Sequence, residues 1–303
     1  MFARFSRIGG RWQRRAFTLV ELLVVIAVIA LLASILFPVL NRAREQSLRV
    51  VCLSNINQGS RAIFLYANDN GERCVPVESR GFGQAASGIW NGPTDHDMAW
   101  PEIVQPYVAE WTILRCPADR SATDDSMAFE FDDATPIPRS DLAKRRWVWA
   151  FRSNFGLNFN WLSYPTECYV QGPTIDARLN TVPSPPNTLM LIDSVWGRQA
   201  DGSPTRGGSW AVDAPARPFR VACYLGGWRC WTHWSGDPES PDCLADPLAW
   251  GGAYPHHTSH TVFNAAFVDG HVKGERVADL LAGIDPKKEL ITDPDACIWD
   301  TIR

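Results

Sequence analysis

The histidines and cysteines are the residues whose types and spacing invite chemistry. His256, His257 and His260 precede Asp269 and His271, and imidazole with carboxylate is a zinc-ligating combination. Cys223, Cys230, His233 and Cys243 form a second group, with six, two and nine residues between successive members. Those spacings do not match a compact zinc knuckle, and nothing in the sequence fixes the geometry of the first group. Neither is read as a metal site. In an oxidising compartment a disulfide among Cys223, Cys230 and Cys243 is the better reading. The eight cysteines allow roughly a hundred pairings, and several buried thiols are the plain alternative. Asp69, Asn70 and Glu72 offer oxygen ligands suited to calcium, but at a turn they read as a helix stop. Asp95-His96-Asp97 is a charged loop tripeptide. No Gly-x-Ser-x-Gly, His-Glu-x-x-His or phosphate-binding glycine loop occurs. The expectation is a protein that is not an enzyme and takes no cofactor and no metal.

The remaining residue out of place is Glu21. It sits in Phe17–Leu40, a run of 24 residues that is otherwise apolar except for Thr18 and Ser34. As a helix the run rises about 36 Å, enough for a hydrocarbon core of about 30 Å. A carboxylate there costs ~2.5–3.5 kcal/mol on the lenient insertion scale, so a compensating cation is expected. An amine freed by cleavage before Phe17, on a neighbouring subunit, would serve. Ahead of the run lie Arg4, Arg7, Arg11, Arg14 and Arg15 with no acid, a signal that this end stays in the cytoplasm. Removing these five leaves 24 basic against 33 acidic residues, a net charge of -9 for the rest. That acidic body argues against nucleic acid as the partner. A discarded secretory signal rarely places Glu at the start of its apolar core. The best small-residue cleavage site downstream is only Ala33, and a plain signal anchor is the other alternative.

Arg14-Arg15-Ala16-Phe17-Thr18-Leu19-Val20-Glu21 resembles the processing site of type IV pilins and type II secretion pseudopilins. The resemblance implies cleavage between Ala16 and Phe17 by a prepilin peptidase, then N-methylation of Phe17. It also implies an assembly role for Glu21, at the fifth mature position, and a helix-kinking role for Pro38. Ala16 stands where the family usually has Gly. The implied partners are the peptidase, other pilin or pseudopilin subunits (self or minor), and assembly machinery in the inner membrane. The implied location is a single pass through that membrane with the head outside the cytoplasm, or a filament beyond it.

Beyond Leu40 the apolar positions Ala43, Leu48, Val51, Cys52, Ile56, Ala62, Ile63 and Tyr66 recur mostly at intervals of three or four, the mark of a helix with one apolar stripe. Gly59 weakens it, and Asn68–Gly71 stops it. The expected layout is a basic leader over 1–16, a helix over 17–68 whose half 17–40 spans the membrane, and a globular head over 69–303. Two helices broken at Pro38 are the alternative. In the head, Trp100–Trp111 reads as a short helix or turns. Arg145–Trp149 and Leu189–Trp196 read as strands, from their aromatic and β-branched content. Val262–Val268 and His271–Val277 flank Asp269-Gly270, which predicts a hairpin with a two-residue type I′ turn. The expected class is α+β, with an antiparallel sheet packed on the later half of the long helix.

Cys52–Gln58, Tyr66–Gly71, Leu114–Asp119 and Asn264–Val272 resemble one pilin-like group abundant in planctomycetes, which ends in a His-x9-Asp-Gly segment. Here position 259 is Ser, flanked by His257 and His260, and Asp269-Gly270 is read as a structural hairpin. The 14 tryptophans offer two readings. They either fill the core of a loop-rich head, each burying roughly 200 Å², or, through Trp228, Trp231, Trp234 and Trp250, hold a glycan. The leading expectation is a subunit of a type IV pilus-like or pseudopilus-like assembly. The alternative is a membrane-anchored or filament-tip adhesin.

Overall fold

The computed structural model describes residues 18–79, 92, 96–123, 135–162, 178–198, 203–205, 207–212, 214–215, 252–257, 261–285 and 290–299. The chain divides into two units, Met1–Arg44 and Glu45–Arg303.

The first helix, α1 (Leu19–Asp69, 51 residues), runs without a break through Pro38, which excludes two separate helices. Proline lacks the N–H that would reach the Ser34 carbonyl, so one helical hydrogen bond is missing there. Within the first unit the large side chains from Leu19 to Leu40 are exposed, Leu19, Leu31 and Ile35 among them. Water cannot stabilise so long an apolar surface, and lipid can. Among the described residues this helix is long and apolar enough to cross a membrane.

In the second unit α1 changes character. Its buried residues are Cys52, Ile56, Gly59, Ser60, Ala62, Ile63 and Ala67, a stripe at steps of three and four. Val51, expected on that stripe, is 46% exposed and lies off it. Gly59 is buried, where an added Cβ would touch Leu191 and Trp100 at ordinary contact distance. The helix stops where the sequence places the stop. Asn70 and Glu72 donate their backbone N–H groups to the Ala67 carbonyl at 3.1 and 2.7 Å. Gly71 and Glu72 take positive φ, 69° and 64°. Tyr107 then donates to Asp69 at 2.8 Å, so Asp69 acts as a tie to the head. Among the described residues, Asp69, Asn70 and Glu72 do not form part of a metal-ligand cluster.

Among the described residues the head is built on a five-stranded sheet, in the order β7 (Ala211–Val212), β3 (Phe155–Asn158), β4 (Leu189–Asp193), β8 (Val262–Phe267) and β9 (Val272–Arg276). Short elements lead into them. β1 (Glu78–Ser79) pairs with β2 (Met98–Ala99), and α2 (Trp100–Ile103) follows, with 3-10 turns at Gln105–Tyr107 and Trp111–Leu114. Next comes α3 (Leu142–Phe151), which corrects the strand expected at Arg145–Trp149. Asp141 caps this helix by accepting the Lys144 N–H at 3.0 Å. Packing then buries Trp147, Val148, Ala150 and Phe151 together, overriding the strand propensity of Val and Trp.

β3 (Phe155–Asn158) runs into α4 (Phe159–Leu162), and β4 (Leu189–Asp193) forms the sheet centre. β5 (Gly197–Arg198) and β6 (Pro204–Thr205) make a side ribbon. β7 (Ala211–Val212) pairs parallel to β3, so the sheet is mixed where a fully antiparallel one was expected. β8 (Val262–Phe267) and β9 (Val272–Arg276) form the C-terminal hairpin, followed by α5 (Val277–Leu280) and the ribbon β10 (Ile284–Asp285) with β11 (Leu290–Ile291). All five β4 residues are buried, because clusters cover both faces of the sheet. One contains Ile56, Ile63, Trp100, Trp147 and Leu191; the other contains Phe263, Phe267, Leu280 and Trp299.

The hairpin turn differs from the expected type. Gly270 has φ +90°, but Asp269 does not take positive φ. The Gly270 N–H reaches the Phe267 carbonyl at 2.9 Å, and the Phe267 N–H reaches the His271 carbonyl at 3.0 Å. This is a three-residue loop with glycine in the left-handed position, not a two-residue type I′ turn. The loop tip lies on α1: Asn57 donates its side-chain amide to the Gly270 carbonyl at 3.4 Å.

Six of the described tryptophans, Trp100, Trp147, Trp161, Trp196, Trp210 and Trp299, are buried. Three spend their indole N–H on main-chain carbonyls: Trp100 on Trp210, Trp147 on Asp97 and Trp299 on Leu280, at 2.7, 2.7 and 2.8 Å. These are core tryptophans. Trp228, Trp231, Trp234 and Trp250 lie outside the described residues.

Candidate functional site

Among the described residues, two places join polar groups to apolar surroundings in a way that bears on function. The first is the start of α1. The Thr18 N–H and hydroxyl both donate to Glu21 Oε2, at 2.9 and 2.8 Å, and the Glu21 N–H donates to the Thr18 hydroxyl at 3.2 Å. This reciprocal pair is a capping box, Thr at the cap and Glu three residues later. It gives Glu21 a role inside its own chain that the sequence reading omitted, although Thr18-x-x-Glu21 is its standard signature. The carboxylate is thus partly compensated before any neighbouring subunit is considered. It also lies at the positive end of the helix dipole. Ala16 and Phe17 lie outside the described residues, and Pro38 sits inside α1.

The second place is the centre of the head. Cys52 from α1, Cys116 from the loop after Leu114, Asp193 at the end of β4 and His257 ahead of β8 converge there. All four are buried, with exposures of 0, 2, 0 and 0%. Cys52 donates its thiol to Asp193 Oδ1 at 3.3 Å, and the Cys116 Sγ lies 3.3 Å from His257 Nε2. His257 Nε2 is 3.8 Å from Asp193 Oδ2, too far for a hydrogen bond. The Asn264 backbone N–H donates to the same Oδ2 at 2.7 Å.

Burial sets the electrostatics of this group. It pushes the Asp193 carboxyl up to about 6, against the opposing effects of His256, the Asn264 N–H, the Cys52 thiol and Arg49. It holds His257 down at about 4, with His256 and Arg49 adding to the effect. It raises the Cys52 thiol well above its ordinary value, helped by Cys116 and by the Asp193 charge. Near pH 7 the imidazole is therefore neutral and the carboxylate largely charged. Cys74, buried elsewhere, is pushed up to about 12 by desolvation.

The Cys116 loop is held rigidly. Asn154 Oδ1 accepts the Cys116 N–H at 3.0 Å, and Asn154 Nδ2 donates to Asp119 at 2.7 Å. Asp119 in turn accepts the Ser121 N–H and hydroxyl at 2.8 and 2.7 Å, and its own N–H reaches the Cys116 carbonyl at 3.0 Å. Replacing Asn154 by Ala removes the donor to Asp119 Oδ2 and the acceptor of the buried Cys116 N–H, while Asp119 Oδ1 keeps Ser121. The expected cost is about 2–4 kcal/mol, read as a lower denaturation midpoint at unchanged slope.

The histidines weighed for a metal with Asp269 separate in the structure. His257 joins the buried group, while His256 Nε2 lies 2.9 Å from the Ser194 carbonyl. His271 pairs with Asp269 through Nδ1 at 2.6 Å at the exposed hairpin tip. His260 and Ser259 lie outside the described residues, as do Cys223, Cys230, His233 and Cys243. Of the tripeptide Asp95-His96-Asp97, Asp95 is likewise outside, Asp97 is buried, and His96 Nε2 lies 2.9 Å from Glu102. The four described cysteines, Cys52, Cys74, Cys116 and Cys297, are all buried, and Cys52, Cys74 and Cys116 are free thiols.

Residues 13–37 match the family model described as the prokaryotic N-terminal methylation motif. No curated protein and no solved structure matches the chain.

Proposed function

We propose that this chain is a structural, non-catalytic subunit of a type IV pilus-like or type II secretion pseudopilus-like assembly. The match of residues 13–37 to the N-terminal methylation motif carries this reading. It is supported by α1, apolar and exposed over its first half and packed into the head over its second.

In this reading a prepilin peptidase cuts between Ala16 and Phe17 and the new amine of Phe17 is methylated. The basic leader stays cytoplasmic and the head lies outside the cytoplasm. Assembly machinery in the inner membrane lifts the helix out of the lipid, and subunits stack helix on helix. The Thr18–Glu21 capping box survives the cut, because the Phe17–Thr18 peptide bond, and with it the Thr18 N–H, remains. One Glu21 oxygen is occupied by Thr18; the other is available to the Phe17 amine of a neighbouring subunit.

The test is the mass of the N-terminal peptide of protein taken from native membranes. A peptide beginning at N-methyl-Phe17 is expected. A chain beginning at Met1 would mean a plain signal anchor. A start after about Ala33 would mean a secreted protein and end the pilin reading.

A further inference from the structure

The buried group in the head has the composition and shape of a metal centre. Its donors are two sulfurs, one imidazole nitrogen and one carboxylate oxygen, and all four ligand atoms lie within 4.8 Å of one another. Around a tetrahedral zinc ion with bonds of about 2.0–2.3 Å, neighbouring ligand atoms sit roughly 3.3–3.8 Å apart. The separations here of 3.3 Å (Cys52 to Asp193), 3.3 Å (Cys116 to His257) and 3.8 Å (His257 to Asp193) match that spacing. Small shifts of side chains would place one ion at bonding distance from all four.

We propose that Cys52, Cys116, Asp193 and His257 form a closed, four-ligand structural site for one divalent cation of zinc(II) type. The inference does not depend on the assembly reading. Thiolate with imidazole selects zinc-like ions over calcium or magnesium, which prefer oxygen alone. Four protein ligands and near-complete burial leave no position for water, so the site is structural and not catalytic. On binding, each thiol gives up its proton to solvent, two protons per ion, and the neutral imidazole offers its Nε2 lone pair. Two thiolates and one carboxylate around a dication leave one negative charge. Arg49, whose charge already acts on both Asp193 and His257, offsets it.

The arrangement also explains why these four polar residues occupy the centre of the core. Burying a carboxylate and three further ligand groups is costly without a partner that satisfies them all. A dication does so in one step. It joins α1, the Cys116 loop, the central strand β4 and the segment entering β8.

The test uses the full chain in detergent, isolated without added chelator. Metal content is measured on wild type, on Cys74→Ser as a buried-thiol control, and on the Cys52→Ser/Cys116→Ser double variant. One zinc per chain is expected in the first two, and at least a tenfold loss in the third. Wild-type protein reloaded with cobalt(II) is expected to show thiolate-to-metal charge transfer and the visible bands of tetrahedral cobalt. The cobalt spectrum needs no variant to fold. A wild-type protein without zinc whose Cys52 and Cys116 resist alkylation until reduced would show a disulfide and overturn the proposal. So would a cobalt spectrum without thiolate bands, or a double variant that keeps both its zinc and those bands.

Discussion

Cells carrying the assembly machinery and the Glu21→Ala chain are expected to yield membrane-inserted, cleaved protein and no filament. Insertion should persist because the substitution removes the one charge in Leu19–Leu40 and leaves every apolar residue in place. Cleavage should persist because Ala16 and Phe17 are untouched. In the proposed assembly, failure is expected because each helix-to-helix contact would lose the pairing of Glu21 with a neighbouring Phe17 amine, which would stay in an apolar setting. Breaking a buried pair in this way costs about 3–5 kcal/mol, or roughly two to four orders of magnitude in association per contact. Filaments at wild-type yield would remove the assembly role from Glu21.

The capping box makes a second variant necessary. Glu21→Ala also deletes half of that box, worth about 1 kcal/mol, so lost assembly could reflect a frayed first turn. Gln is an accepted partner of Thr in a capping box and carries no charge. Glu21→Gln therefore keeps the helix start and removes only the ion pair. Failure of both variants assigns the effect to charge. Normal filaments from Glu21→Gln alone would assign it to the cap. Counting subunits in sheared filament fractions separates these cases, with membrane fractions as the control for insertion.

The sequence reveals some of this architecture and conceals the rest for identifiable reasons. The long helix is legible because a helix that crosses lipid needs a continuous apolar run of about 20 residues, and the sequence has one. Its second half is legible from spacing alone, and the stop at Asp69 from Asn and Gly. Residues 145–149 mislead because a few Val and Trp side chains carry strand propensity, while Asp141 and the surrounding core decide for helix. Asp269-Gly270 marks the hairpin correctly but not its turn, since only Gly270 needs the left-handed region. The parallel strand β7 is two residues long and leaves no pattern to read. The Cys52, Cys116, Asp193 and His257 group is invisible in sequence for a stronger reason. Its members sit on four segments that only the order β4-β8 and the packing of α1 bring together. Zinc motifs are readable when ligands come in close pairs, and these do not.

Removing the metal should unfold the head at a lower temperature, and the size of the shift follows from the topology. The four ligands are separated in the chain by roughly 60–80 residues, so an ion joining them closes long loops, where closure most restricts the unfolded chain. With free zinc at about a thousand times its dissociation constant, binding adds about 4 kcal/mol to stability. For a head of this size each kcal/mol shifts the midpoint by about 2–4 °C. Chelation of the full chain should therefore lower the melting temperature by about 8–16 °C, followed by the fluorescence of the buried tryptophans. Zinc, but not calcium, should restore it. The Cys52→Ser/Cys116→Ser variant should melt near the chelated wild type and gain nothing from added zinc. Cys74→Ser should respond to chelation as wild type does, because Cys74 lies outside the group. A wild-type midpoint indifferent to chelator and to zinc would overturn the metal site and leave α1 held to the head by apolar packing and hydrogen bonds.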